Sequence, residues 1–557
     1  MMKLEISSND KLRGGYYTDP ELADWLCNWA IRKSSDTVFE PSCGDGVFLR
    51  AAGRRLIKLG VPRNKAGQRL QGVELIAGEV VCARENFLEQ LKAKTPPKIE
   101  VSDLFQWLLD NPNEQYDVAV GNPPFIRYQN FPEPSRSLAM AMMKKQGLRP
   151  NKLTNTWVPF VVAATMRIRP GGRLAMIVPA ELLQVSYAGQ LRMFLVDQFR
   201  RIEIVTCNEM FFDGAEQEVV LLLADGKLKK ASPENRCLIN MSEFDTVAEL
   251  LKSSPAPELE TKKFVQHDTE KWLKYFLTAR EIDFMRKLRQ SSKVTELKTH
   301  ASIDVGVVTG KNEFFVLNRE QTVANGLQDY KLPLVGRSAQ LEGAIFSGSD
   351  FKTLVRENSR IYLFYVPPNA NGSLSQDVRR YIAQGEADKI HEGYKCSIRT
   401  PWFSVPTVWK PDCFLFRQIY DFPRAVLNQT KATSTDTIHR MNCKADPSVM
   451  AASLYTHLTG ASAEIEGRSY GGGVLELEPT EAERLLMPKT LGGGLSIKEI
   501  DARIRAGGLE EVLEENDRLI LKGQLGFTDA ECNLLKGIWN KMRMRRRTRG
   551  KKKSFNK

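Results

Sequence analysis

Asn122-Pro123-Pro124-Phe125 closes an apolar run, Tyr116-Asp117-Val118-Ala119-Val120-Gly121, and these four residues carry the most specific chemistry in the chain. Proline fixes φ and has no amide proton, so two in succession keep the carbonyls of Asn122 and Pro123 out of helix and able to face a cleft. Asn122 adds a neutral side-chain acceptor beside them. A planar amino group could give one hydrogen to the Asn122 amide oxygen and the other to the Pro123 carbonyl, while Phe125 stacks on the ring that bears it. Taken alone, the motif is equally a rigid turn after a buried strand with Phe125 in the core. The segments upstream favour the pocket.

Three of those segments each read as a strand that ends in an acid. Thr37 to Leu49 gives a short strand, a small-residue loop and an amphipathic helix from about Val47, with Glu40, Ser42, Gly44 and Asp45 in and around the loop. Glycines let a ligand approach the backbone, and the helix start offers amides. The third glycine of a dinucleotide loop is missing, and the acids suit an ammonium and a sulfonium better than a pyrophosphate. Leu70 to Leu75 ends a second strand at Glu74, whose carboxylate can accept both hydroxyls of a ribose. Ile99 to Phe105 ends a third at Asp103, able to accept an adenine amino group while Leu104 or Phe105 covers the ring. A single acid after a strand is usually a helix cap. Three of them, one βα unit apart, point to the ligand edge of an open α/β sheet. Ahead of them, Asp19 and Pro20 open a helix with Leu22, Trp25, Leu26 and Trp29 on one face, and the Thr18 hydroxyl stands just before its start.

In this order the segments resemble the S-adenosylmethionine-dependent amino-methyltransferases of DNA, specifically the N6-adenine gamma class with its Asn-Pro-Pro-Phe/Tyr motif, the TaqI/Eco57I-like modification methylases. The resemblance runs motif by motif over roughly the first 230 residues and more loosely to about residue 490. It implies an α/β fold: a Rossmann-like S-adenosylmethionine-dependent methyltransferase domain followed by a C-terminal α+β target recognition domain. By the same resemblance Thr18, Glu40, Ser42, Gly44 and Asp45 hold the methionine end of S-adenosylmethionine, Glu74 its ribose, and Asp103 and Leu104 its adenine. Asp19 between Thr18 and Pro20 departs from the family's Tyr-Thr-Pro-like segment. Asn122 and Pro123 would hold the amine of an adenine flipped out of duplex DNA. Phe125 and Phe211 would sandwich it, with Phe212 the alternative second aromatic, in the loop Asn208 to Gly214 where large apolar residues need a partner. The implied role is the modification enzyme of a restriction-modification system, with double-stranded DNA as partner and no metal. A companion restriction endonuclease would be a separate chain and the methyltransferase a monomer. The same motif also serves enzymes acting on N4 of cytosine, on RNA bases or on a protein glutamine, and a non-catalytic DNA-binding protein with a vestigial cofactor fold is the alternative of another kind.

At 557 residues the chain exceeds one ordinary core. The expected division is a catalytic domain over 1–235, a connecting segment over 236–290 with Lys and Ser clusters and Pro255-Ala256-Pro257, a recognition domain over 291–490, and a helical extension with a basic tail over 491–557. An apolar share of 42% with 26% charged residues is ordinary globular composition. The net charge is +13, but Lys541 to Lys557 holds ten cations and no acid, so the remainder carries only +3. Such a tail is either sticky toward phosphate or simply solvated. Nine cysteines without a Cys-x-x-Cys pair and five scattered histidines indicate neither zinc nor a disulfide framework. No run approaches the ~20 apolar residues of a membrane span and no signal peptide is apparent, which fits a reducing cytoplasm. In the second half, Ile303 to Gly310 and Glu313 to Leu317 read as strands. Arg360 to Tyr365, Trp402-Phe403, Trp409-Lys410 and Phe414 to Arg417 interleave aromatics with bases, as a groove along a phosphate backbone would, or as core strands do. Asn428 to Thr435 is rich in short polar groups able to touch phosphates or base edges, or is a plain loop.

Overall fold

The computed structural model describes residues 18–209, 211, 218–253, 263–265, 270–367, 374–470 and 472–551. The chain forms two compact units, Met1–Ala279 and Arg280–Lys557.

The first unit opens with α1, Pro20–Ala30, capped by the Asp19 carboxylate, which accepts the amides of Glu21 at 2.8 Å and Leu22 at 3.4 Å. Its apolar face, with Leu22, Trp25, Leu26 and Trp29, is buried. Three strand-helix units follow: β1 (Val38–Glu40) and α2 (Val47–Lys58), β2 (Leu70–Glu74) and α3 (Ala77–Leu91), then β3 (Lys98–Val101) and α4 (Leu104–Asp110). After β4 (Tyr116–Gly121) come α5 (Ser135–Lys145), α6 (Trp157–Met166), β5 (Ile168–Pro179), α7 (Gly189–Gln198), β6 (Phe199–Cys207), β7 (Val219–Lys227) and β8 (Leu238–Phe244). They form one eight-stranded sheet in the order β3-β2-β1-β4-β5-β7-β6-β8. The strands from β3 to β5 are parallel, and β7 runs antiparallel to both its neighbours. Val118, Ala119 and Val120 on β4 and Leu174 to Val178 on β5 have no appreciable exposure, as strands covered on both faces require. From β1 the chain moves outward to β2 and β3, then returns to the other side at β4. That reversal opens a crevice beyond the carboxyl ends of β1 and β4, where ligands of open α/β sheets bind.

The Arg169-Pro170-Gly171-Gly172-Arg173 stretch lies within β5, beside a register break between Tyr116 and Val118. Gly172 is needed there, because a Cβ would stand 2.5 Å from the Asp117 carbonyl oxygen. β6 and β7 pair antiparallel, and the sheet edge is β8, which pairs parallel to β6 from Arg201 opposite Leu238 to Cys207 opposite Phe244. The 236–290 segment is therefore more than a connection: Cys237, Ile239 and Leu250 are fully buried in the first unit, and the division between units falls at Ala279.

The second unit is α+β. Five strands pair in the order Ala301–Asp304, Ile438–Cys443, Cys413–Phe416, Ala425–Asn428, Ile345–Phe346, and four in the order Val316–Leu317, Tyr362–Phe364, Lys331–Val335, Thr433–Ser434. The expected strand from Glu313 begins as a short helix, Asn312–Phe315, because Phe314 and Phe315 turn into an aromatic core with Phe364, Tyr381 and Trp402. Tyr362, Phe364 and Phe414 are core residues and not a groove. Asn428 is likewise internal, its amide donating to the carbonyls of Pro411 at 3.0 Å and Ala432 at 2.9 Å, and Thr433, Ser434 and Thr435 are buried with it.

As far as residue 551 the basic tail is not a solvated terminus. Asp529–Lys551 is a helix whose Trp539, Met542 and Arg546 share a buried face. Arg546, 2% exposed, pairs with the equally buried Glu464 at 2.6 Å and donates to the carbonyls of Ile419, Tyr420 and Gly473. Lys541, Arg543 and Arg547 pair with Glu281, Glu510 and Asp421, so much of the tail's charge is answered by acids of its own unit. Removing one partner strands the other as a buried charge. Arg546→Ala is therefore expected to destabilise the protein by about 3–5 kcal/mol, read as a lowered unfolding midpoint. An unchanged midpoint would mean that the helix end is not docked. No helix among the described residues is long and apolar enough to cross a membrane.

Candidate active site

The crevice holds a cavity of about 580 Å³, and all eight residues expected to bind a cofactor line it, together with Asn122. Glu40, at the end of β1, is 1% exposed. Its burial first, then the negative charges of Asp45 and Glu74, push its carboxyl well above the usual range, against the pull of Arg50. Glu40 Oε2 and Ser42 Oγ are buried and have no hydrogen-bond partner among the described residues. Native proteins seldom leave such atoms unsatisfied, so a ligand with several N–H donors is the natural complement.

The Asp45 carboxylate pairs with Arg50 at 3.0 Å, and the same guanidinium donates to its backbone carbonyl, so its charge is partly answered within the loop while its side chain still lines the cavity. Gly44, at φ +48°, gives its N–H to Glu74 Oε2 at 2.9 Å, while Glu74 Oε1 accepts the Ile76 N–H at 3.0 Å. Glu74 thus ties the loops after β1 and β2 together and keeps a lone pair on each oxygen for a pair of hydroxyls. Asp103 is first a helix cap: Oδ1 accepts from Phe105 at 2.9 Å and Gln106 at 3.1 Å, and Oδ2 accepts the Ser135 hydroxyl at 2.5 Å. One lone pair of Oδ2 remains. Leu104 is buried behind it. Two apolar walls were not anticipated: Ile76, 38% exposed just past the Glu74 strand end, and Phe160 on α6. Two aliphatic residues, Leu75 and Ile76, directly after a strand-ending acid were the available signal for the first.

Asn122 stands at the mouth of β4. Its Nδ2 donates to the buried Thr18 hydroxyl at 3.3 Å, which turns the amide oxygen the other way. The residues that follow are clamped by Thr156, 1% exposed at the start of α6: its hydroxyl donates to the Pro124 carbonyl at 2.5 Å and accepts the Ile126 N–H at 2.8 Å. In sequence Thr156 is an ordinary residue ahead of an apolar helix. Pro123 is buried, and Phe125 and Phe211 are half-buried against the same apolar cluster beneath the sheet. Neither Pro123 nor these two rings lines the cavity. Phe212 lies outside the described residues.

Comparison with known proteins bears on this geometry. Residues 76–212 match the model described as Eco57I restriction-modification methylase, and residues 269–521 match that of the C-terminal domain of the type II methyltransferase M.Eco57I. The chain belongs to the Eco57I-type restriction-modification methylases. Relatives along most of its length are M.AccI of Acinetobacter calcoaceticus, 24% identical over 85% of this chain and 84% of the relative, and M.XamI of Xanthomonas campestris pv. amaranthicola, 22% identical over 85% of each. Among solved structures, the Type IIL restriction-modification enzyme MmeI in complex with DNA is similar in fold, with a TM-score of 0.56 and 13% identity over 96% of this chain and 80% of that one. The methylase's two family segments divide close to the boundary between its compact units.

Proposed function

We propose that this methylase transfers the methyl group of S-adenosylmethionine to the N6 amine of an adenine rotated out of a specific duplex DNA sequence, acting as a monomer and as the modification enzyme of a restriction-modification system. The observation that carries this reading is the placement of Asn122, held by Thr18, on the same cavity as the unsatisfied Glu40 and Ser42 and the doubly anchored Glu74.

The chain's own residues divide the work. Glu40 and Ser42 accept the donors of the methionine ammonium, Glu74 the ribose hydroxyls, and the open lone pair of Asp103 the cofactor's adenine amine, with Leu104 and Ile76 as apolar cover. The bound cofactor supplies an activated methyl on a sulfonium. The amine of the target adenine is conjugated with its ring and a poor nucleophile. Accepting both its hydrogens, at the Asn122 amide oxygen and the Pro123 carbonyl, shifts the nitrogen toward a tetrahedral form with an available lone pair, so orientation and placed acceptors supply most of the rate without a strong base. Extruding the base costs a few kcal/mol, offset in part by stacking on Phe125 and Phe211 at about 1–3 kcal/mol per base.

The test is nucleoside mass spectrometry after incubation of the protein with isotopically labelled cofactor and duplex DNA, RNA or protein. Labelled N6-methyladenine in DNA, at one sequence, is expected. Label on N4 of cytosine would move the reading to the other exocyclic amine, and label confined to RNA or to glutamine would overturn it.

A further inference from the structure

Between Ile126 and Thr156 the chain leaves the Asn-Pro-Pro-Phe motif, forms α5 and returns to the residue that clamps the motif. Arg127, Lys144, Lys145, Arg149 and Lys152 in this excursion are exposed, and none pairs with an acid among the described residues. The excursion's one acid, Glu133, is taken by Arg136 at 2.8 Å. The cations ride on a firm base. Phe131, Ala139, Met143 and Leu148 are buried, and the Thr156 N–H donates to the Ile126 carbonyl at 3.0 Å. On one side Asn130 and Pro132 border the cofactor-type cavity. On another, α5 and the loop after it line a cleft of about 410 Å³ with Tyr128, Glu133, Arg136, Lys144, Asn151 and Lys152, the Glu133 carboxylate being held there by Arg136.

Exposed cations around a cleft whose one acid is neutralised attract a polyanion, and on a rigid support beside an active site they fix its register. We infer that this cleft binds a backbone phosphate of the duplex next to the extruded nucleotide, giving the catalytic unit its own sequence-independent hold on DNA. Lys144 and Lys152 supply the charge, and Asn151 and Tyr128 line the same cleft. The inference rests on the DNA-methylating reading above.

A protein that neutralises phosphates releases condensed counterions, so its affinity falls linearly with salt on a log-log scale, by a slope of ~0.9 per contact. The experiment compares wild type with K144A/K152A, both lysines being exposed, by titrating a labelled duplex carrying the methylated site across a series of salt concentrations. The variant is expected to have a slope ~0.9 shallower and about five-fold weaker binding at 0.15 M salt, with cofactor affinity and kcat at saturating DNA unchanged. A variant with the wild-type slope, made from a wild type that does methylate DNA, refutes the surface and leaves the functional reading standing. A wild type that methylates no DNA takes both down.

Discussion

Asn122→Ala should lower kcat for methyl transfer by about 10²–10³-fold, the cost of removing one placed hydrogen-bonding group from a transition state, while leaving the affinity for S-adenosylmethionine within a few-fold of wild type. The separation follows from the geometry. The groups assigned to the cofactor sit ahead of α1 at Thr18 and on the loops after β1, β2 and β3, whereas Asn122 sits at the end of β4 and meets that set at Thr18. Single-turnover rates with preformed protein-cofactor-DNA complex, paired with calorimetric titration of the cofactor, read the two quantities independently. The substitution also removes the bond to the Thr18 hydroxyl, so Thr18→Val serves as the control with cofactor saturating: it removes the same hydrogen bond but retains the amide, and should cost far less in kcat even where it weakens cofactor binding. If Asn122→Ala turns over DNA at nearly the wild-type rate with cofactor bound, the amide does not act on the target amine and the proposed mechanism is wrong.

How much of this was legible in the sequence divides along local and non-local interactions. Asp19, Glu40, Glu74 and Asp103 could be placed at element ends because caps and strand-terminal acids are read within a few residues. Asp103 also shows the limit of that reading, since the same carboxylate that suits a ligand spends three of its lone pairs on a cap and on Ser135. β8 was hidden because Leu238–Phe244 lies among lysines and serines and becomes a strand only by pairing with β6, some forty residues earlier. Thr156 was hidden because its work, holding Pro124 and Ile126, exists only once α6 packs beside the motif. The C-terminal helix did carry a signal: Trp539, Met542 and Arg546 recur at three and four residues, a helical face that the surrounding charge density obscured. A sequence also shows an aromatic after Pro-Pro or in a loop without showing that Phe125 and Phe211 each rest one side on the same apolar cluster.

Glu40→Gln separates binding from stability in opposite directions. The carboxyl of Glu40 is held above its ordinary value by burial and by the fields of Asp45 and Glu74. With the folded value raised above that of the unfolded chain, near 4.3 for a free glutamate, Glu40 favours the folded state fully below that pH, and the contribution is lost as pH rises toward the elevated folded value. The ligand-free protein therefore carries an uncomfortable group at neutral pH, and the neutral amide of glutamine should raise its unfolding midpoint. Binding runs the other way. An ammonium needs the carboxylate, so whatever proton the raised carboxyl holds has to leave as the cofactor binds, and the affinity should climb with pH as Glu40 ionises. Glutamine abolishes that climb and forfeits a hydrogen bond to a charged group, about 1.5–3 kcal/mol or roughly 10- to 150-fold in Kd. Calorimetric titration of S-adenosylmethionine from about pH 5 to pH 8, in buffers of different ionisation enthalpy, reads both the affinity and the protons released. A wild-type affinity that is flat across this range, or a glutamine variant that binds as tightly, would remove Glu40 from the cofactor site and leave its burial without an explanation.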